Sequence, residues 1–286
     1  MSEEGPSVSL QLDSSPETLT LVRGALGGLA EGLGLDPELL DDIKTAVSEA
    51  CNNVVMHAYG GDSGPLQVCL YVGADKIQVL VRDWGGGIHV LTPSDDRLQG
   101  VGIPIMRALA EETAFRPRSE GGTEVWMQFA GLRDGELLYR LPPEADADDG
   151  WSERLTGDAV VSLSPVTFIG GVLGRLARAL AARARFSLDR FSDVYLVTDA
   201  LAAHAAHAAS TSRIAFGILT DTRRLELTLG PLRSGASEEL TVDSAGDVTS
   251  ALRLLADELE VRSEDGGEVV RLVMRDKRGH LAAAPD

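Results

Sequence analysis

A strand read from Lys76 to Arg82 runs without interruption into Asp83-Trp84-Gly85-Gly86-Gly87-Ile88. A glycine cluster at a strand's end removes the Cβ atoms that keep a ligand away from the backbone. What flanks this cluster narrows the fold. Before it, Leu66–Val72 reads as a strand joined to the next by a turn at Ala74-Asp75, a hairpin. After it, a loop rich in Asp, Ser and Pro runs from Thr92 to Gln99 and ends in Gly100-Val101-Gly102. That glycine pair opens a helix expected over Ile103–Glu112, and free N–H groups at a helix start favour phosphate oxygens. Gly121-Gly122-Thr123 then leads into a strand over Glu124–Phe129.

Upstream, Val8–Leu12 alternates apolar and polar residues, as a half-buried strand does. Ser15 and Pro16 predict a helix start, with Leu19, Val22, Leu26 and Leu29 at helical spacing and Gly32 to Gly34 as the stop. A second helix begins at Asp36-Pro37 and carries an apolar stripe of Leu40, Ile43, Val47, Ala50, Val54 and Ala58. Glu49 and Asn53, four residues apart, share one flank of it, and His57 continues the line to Tyr59-Gly60-Gly61. Alone, a Glu and an Asn are a helix's wet side, glycines after a strand are a turn, and Gly-x-Gly is a weak signal. The four features in this order, each on the expected element, outweigh those readings. His57 reads as structural, at a helix end where an imidazole meets free carbonyls. Trp84 and Trp126 read as packing residues.

Over residues 8–130 this constellation resembles the GHKL ATPase superfamily, and the Asn-x-x-x-His-Ala-Tyr ending narrows it to the anti-sigma-factor serine/threonine kinases of the RsbW and SpoIIAB type. The resemblance implies an α+β fold, a two-layer α/β sandwich of the Bergerat kind. It implies ATP and Mg²⁺ as cofactors, with Asn53 as the metal ligand; an amide oxygen suits a hard ion held mainly by water and phosphate. Glu49 would be the general base for an attacking hydroxyl. Asp83 would accept from the adenine amino group with support from Thr123, while Gly85 and Gly87 would let the chain pass the nucleotide. Thr92–Gln99 would be the ATP lid, Gly100 and Gly102 would meet the phosphates, and Arg97 would reach the terminal phosphate or a partner. The histidine-kinase branch needs a phosphoacceptor histidine on a preceding helix, and the gyrase, Hsp90 and MutL branches need a transducer after the domain; the sequence offers neither.

The chain has 286 residues, enough for two domains, and a formal net charge of -18. That acidity argues against direct nucleic-acid binding and against docking on anionic membranes, and suits a basic protein partner. Cys51 and Cys69 lack metal-ligand spacing and read as buried thiols of a reducing compartment. With no apolar leader and no membrane-length apolar run, the expected location is cytoplasmic.

Residues 134–157, acidic and turn-rich, read as a linker between a kinase domain at 1–133 and a second unit at 158–280, followed by a tail at 281–286. The second unit echoes the first: Val160–Leu163 the opening strand, Ser187 to Ala208 the long helix, Arg213 to Leu219 and Arg224 to Leu229 the hairpin, Gly266-Gly267 before a last strand at Val269–Met274. At a shift of 150, Asp199 falls on Glu49 and Ala203 on Asn53, and Gly230-Pro231-Leu232 replaces Arg82-Asp83-Trp84. We read a tandem, degenerate GHKL-like copy that has lost nucleotide binding. It would stand in for a second protomer and give a monomeric pseudo-dimer. His204 and His207 read as a packed helix face, since no third metal ligand accompanies them. The implied function is an ATP-dependent anti-sigma factor and serine/threonine kinase, with a sigma factor and a STAS-domain anti-anti-sigma protein as partners. The alternative is an ATP-gated binding module without significant phosphotransfer.

Overall fold

The computed structural model describes residues 6–73, 76–86, 101–130, 150–241, 248–264 and 266–276. β1 (Val8–Asp13) is followed by α1 (Thr18–Leu33) and α2 (Pro37–Asn53), which continues into a wider π-helical turn, Val54–Ala58. β2 (Pro65–Val72) and β3 (Lys76–Asp83) form the expected hairpin, with Leu66 opposite Asp83 and Val72 opposite Ile77. α3 (Gly102–Leu109), β4 (Glu112–Pro117) and β5 (Thr123–Ala130) complete the first half.

The local chemistry explains these boundaries. The Asp36 carboxylate accepts from the N–H groups of Glu38 and Leu39, with Pro37 in the first turn, so α2 starts where the cap signal put it. α1 starts later than Ser15-Pro16 suggested. Thr18 Oγ1 accepts from Ser15 N–H and donates to the carbonyl of Asp13, which makes 15–17 a turn between β1 and the helix. Gly34 ends α1 in the left-handed conformation at φ 64°. The helix expected to reach Glu112 stops at Leu109. Ala110 turns extended, Glu111 N–H reaches the carbonyl of Gln128, and the chain adds itself to β5 as the edge strand β4.

α4 (Trp151–Arg154) lies inside the stretch read as linker. Then come β6 (Ala159–Leu163), a 3₁₀ turn at Val166–Phe168, α5 (Ile169–Arg183), α6 (Leu188–Ala208), β7 (Ile214–Asp221), β8 (Arg224–Leu232), α7 (Glu238–Thr241), α8 (Val248–Leu255), β9 (Glu258–Glu264) and β10 (Gly267–Arg275). β9, like β4, was not legible as a strand.

All these strands belong to one antiparallel sheet in the order β4-β5-β3-β2-β1-β6-β7-β8-β10-β9. Its centre is the β1–β6 pair, where Val8 faces Leu163, Leu10 faces Val161 and Leu12 faces Ala159. Outward from that pair, each half lays down its strands in the same sequence. The fold is thus α+β, an antiparallel sheet under a helical layer. Alternation sends Val8, Leu10, Leu12, Ala159, Val161 and Leu163 to the helical face, where one core cluster joins the strands of both halves to α1, α2, α5 and α6. Val160 points the other way and forms a small second cluster with Trp151, Leu155, Ala215 and Val269 under α4.

The helical layer is continuous across the halves. α1 and α5 approach so closely that a Cβ on Gly28 would lie 2.1 Å from the carbonyl oxygen of Gly171, and one on Gly171 would lie 2.3 Å from that of Gly28. Arg213, 1% exposed, donates to Ser162 Oγ and to the carbonyl of Pro6, tying β7 to β6 and to the start of β1. Cys51 and Cys69 are buried free thiols, as expected, and burial pushes the Cys51 thiol up to about 12. Among the described residues no helix is long and apolar enough to cross a membrane.

Candidate active site

The site is built where α2, the end of β3, the start of α3 and the start of β5 meet. Glu49 and Asn53 stand one turn apart on α2, both half-buried. Val101-Gly102 opens α3 directly against them. A Cβ added to Gly102 would lie 2.8 Å from Glu49 Oε2 and 3.7 Å from Asn53 Oδ1. The start of α3 thus stands beside the acid–amide pair, with the end of the flexible Glu49 side chain as its nearest neighbour.

Asp83 closes the other end. Its side chain is buried, 3% exposed, at the last residue of β3. Oδ1 accepts from Gly85 N–H at 2.9 Å and Oδ2 from Thr123 N–H at 3.2 Å. Burial, the largest influence, raises its pKa above the ordinary carboxylate range; the two N–H bonds and nearby Arg118 oppose that rise. Each carboxylate oxygen has two lone pairs, so an acceptor remains for a ligand's amino group. Thr123 supports Asp83 through its backbone N–H.

Two glycines are required by close approach to backbone. A Cβ on Gly85 would sit 2.0 Å from the Ala58 carbonyl oxygen, and one on Gly122, at φ 87°, would sit 2.1 Å from that of Asp83. The Ala58 carbonyl accepts from Gly86 N–H at 2.9 Å, so the end of the π-helical turn holds the glycine loop down. Gly87, Arg97 and Gly100, with the lid expected over 92–99, lie outside the described residues.

The structure therefore brings Glu49, Asn53 and Gly102 together, and Asp83, Gly85 and Thr123 together. His57 is exposed and joins neither group. Trp84 is 38% exposed, and the Arg118 guanidinium stacks 4.7 Å from its ring centroid while also facing Glu124. Sequence reasoning missed Arg118, the Ala58 carbonyl and Tyr59, whose hydroxyl binds Trp84 N–H. Ala58 and Tyr59, inside the His-Ala-Tyr ending, carried a signal, and Arg118 carried none.

The cradle suits a nucleotide. A helix start beside Glu49 and Asn53, and a buried carboxylate acceptor at Asp83, are groups that would fit a phosphate and an amino-bearing base. Among the described residues no three His, Cys, Asp or Glu side chains form a metal cluster. An ion at Asn53 would draw its other ligands from phosphate and water, which is how Mg²⁺ binds beside nucleotides.

Residues 12–129 match the histidine kinase-like ATPase domain. The serine-protein kinase RsbW of Bacillus pumilus is 30% identical over 135 residues, covering 42% of this chain and 83% of that protein. RsbW of Bacillus subtilis is 30% identical over 141 residues, 44% and 87% of the two chains. RsbW of Listeria monocytogenes serotype 4a is 32% identical over 119 residues, 37% and 76%. A solved structure of RsbU and RsbW domains from Mycobacterium tuberculosis matches at 24% identity and a TM-score of 0.34, over 46% of this chain and 34% of that one. With its ATPase-type cradle and RsbW relatives covered over most of their length, this chain belongs to the RsbW-like family of GHKL serine-protein kinases.

Proposed function

We propose that this chain is a cytoplasmic, Mg·ATP-dependent anti-sigma factor that phosphorylates a serine or threonine on a STAS-domain partner. The observation that carries the reading is Gly102 set against Glu49 and Asn53, which joins a phosphate-binding helix start to a base and a metal ligand. Asn53 would hold Mg²⁺, and Gly102 with the α3 N-terminus would meet the phosphates. Asp83, Gly85 and Thr123 would form the adenine end. The ion and nucleotide, when bound, supply charge neutralisation and the transferable phosphoryl group. Glu49 would take the proton of the incoming hydroxyl as it attacks. Gly87 would let the chain pass the nucleotide, Gly100 would meet the phosphates, and Arg97, in the lid, would reach the terminal phosphate or a partner.

The test is incubation of the full chain with Mg·ATP and a STAS-domain protein, with the partner's phosphorylation state read by mass spectrometry. One phosphate on a Ser or Thr of that partner is expected. A STAS protein that binds in an ATP-dependent way but stays unmodified would favour an ATP-gated binding module instead.

We infer in addition that 158–280 is a degenerate copy standing in for a second protomer, with 1–133 as the kinase domain. In support, a shift of 151 carries the centre of β1, Leu10, onto the residue opposite it, Val161. The same shift carries Gly24 onto the residue its Cβ would meet, Arg175. It also carries buried Ile43, Ala46, Val47, Ala50, Cys51 and Val54 onto buried Val194, Val197, Thr198, Leu201, Ala202 and Ala205. The register is one residue longer than the spacing of 150 suggested, so Ala200 and His204, not Asp199 and Ala203, stand at the places of Glu49 and Asn53. Glu268 follows Gly266-Gly267 near the start of β10 as Thr123 follows Gly121-Gly122 at the start of β5, and its buried carboxylate is taken up by the N–H groups of Gly235 and Ser237. On this reading one half of the pseudo-dimer carries chemistry.

A further inference from the structure

Tyr59 occupies a place in the sheet that a direct backbone hydrogen bond would ordinarily fill. Leu66 of β2 faces Asp83 of β3, so the next rung beyond them is Pro65 with Trp84. These two residues do not bond each other. The Tyr59 hydroxyl stands between them, accepting from Trp84 N–H at 2.9 Å and donating to the Pro65 carbonyl at 2.5 Å. Burial, the largest influence, and the nearby Asp83 charge both push the phenol pKa up, so it remains a donor across the working pH range.

One end of this bridge is rigid. Pro65 begins β2 opposite Asp13, and its neighbour Gly64 exchanges hydrogen bonds with Ser14 through N–H to Oγ and through its carbonyl to Ser14 N–H. The other end is the peptide that joins Asp83 to the glycine loop. The ring itself lies where a Gly64 side chain would be: a Cβ there would come within 2.3 Å of it. The π-helical turn that follows Asn53 ends at Ala58, which pins Gly86 next to the same loop. Interrupting the ladder by one hydroxyl lets the chain leave β2 straight after Asp83 while the Asp83–Trp84 peptide stays fixed.

We propose that Tyr59 is a positioning residue of the nucleotide site: it wedges the ends of β2 and β3 apart and sets the Asp83 carboxylate for an adenine amino group. This rests on the nucleotide reading above. Among the described residues the Tyr59 hydroxyl bonds to Trp84 N–H and to the Pro65 carbonyl, both at the Asp83 end, so its effect is assigned to base recognition.

The test is titration of the full chain with Mg·ATP and with the Mg complex of purine riboside triphosphate, which lacks the 6-amino group. Wild type is expected to prefer ATP by about ten- to a hundredfold, as for a hydrogen bond to a charged acceptor. Tyr59→Phe keeps the ring and loses the bridge. It should reduce that preference by about three- to tenfold and leave affinity for the purine analogue within about twofold. In an Asp83→Ala background the same substitution should change neither affinity. If Tyr59→Phe lowers both affinities equally, or lowers only the melting temperature, the residue is structural and the proposal fails. If wild type binds Mg·ATP without preferring it to the analogue, Asp83 does not read the amino group and the proposal fails with that assignment. If wild type does not bind Mg·ATP, the nucleotide reading itself falls.

Discussion

Glu49→Gln should lower the rate of phosphoryl transfer to a STAS-domain serine by about 10²- to 10⁴-fold, while Mg·ATP affinity stays within about twofold of wild type. The amide keeps the shape and hydrogen-bonding reach of the acid but cannot take a proton. Glu49 sits half-buried on α2, a turn before Asn53, and its Oε2 faces the start of α3, where the γ-phosphate side of a nucleotide would lie. On the proposed reading it holds neither the ion nor the base, so binding and chemistry should separate. Single-turnover phosphotransfer and an equilibrium titration on the same preparation measure both. A loss of less than tenfold would remove Glu49 as the base. A parallel loss of ATP affinity would mean it serves the nucleotide instead.

The largest stability effect is expected at the crossing of α1 and α5. Gly28→Val places a side chain 2.1 Å from a backbone oxygen of Gly171, and no rotamer change relieves a clash with backbone. The helices must separate, which opens the layer covering the β1–β6 pair. We expect a loss of about 3 kcal/mol or more in urea denaturation. Gly24→Ala, one turn away on α1, supplies a control of opposite sign. Its Cβ would meet only Arg175 Cβ at 3.9 Å, ordinary contact, and replacing a mid-helix glycine should stabilise by about 0.5–1 kcal/mol. Equal effects at the two positions would mean the halves do not pack through Gly28 and Gly171.

Residues that meet within one element, or at its ends, were legible in the sequence. Glu49 and Asn53 share a helix flank by spacing alone, Asp36-Pro37 marks the start of α2, and the glycines announce close backbone approach. What required three dimensions was the reason for each glycine. Gly85 lies under the Ala58 carbonyl, Gly102 against Glu49, and Gly122 over Asp83, all long-range meetings without a local signature. β4 and β9 escaped because these edge strands lack a buried, one-sided alternation; their pairing with β5 and β10 defines them. The central β1–β6 pairing was equally hidden. Alternating hydrophobicity shows that a strand has a buried face, not which strand lies beside it.

A calorimetric titration of Mg·ATP into the full chain tests the central claim most directly: one nucleotide site, built on Glu49, Asn53, Asp83 and Gly102. Saturable binding is expected at one equivalent per chain, dependent on Mg²⁺ and weakened at least tenfold by Asn53→Ala. Two equivalents, no binding, or affinity unchanged in Asn53→Ala would contradict it.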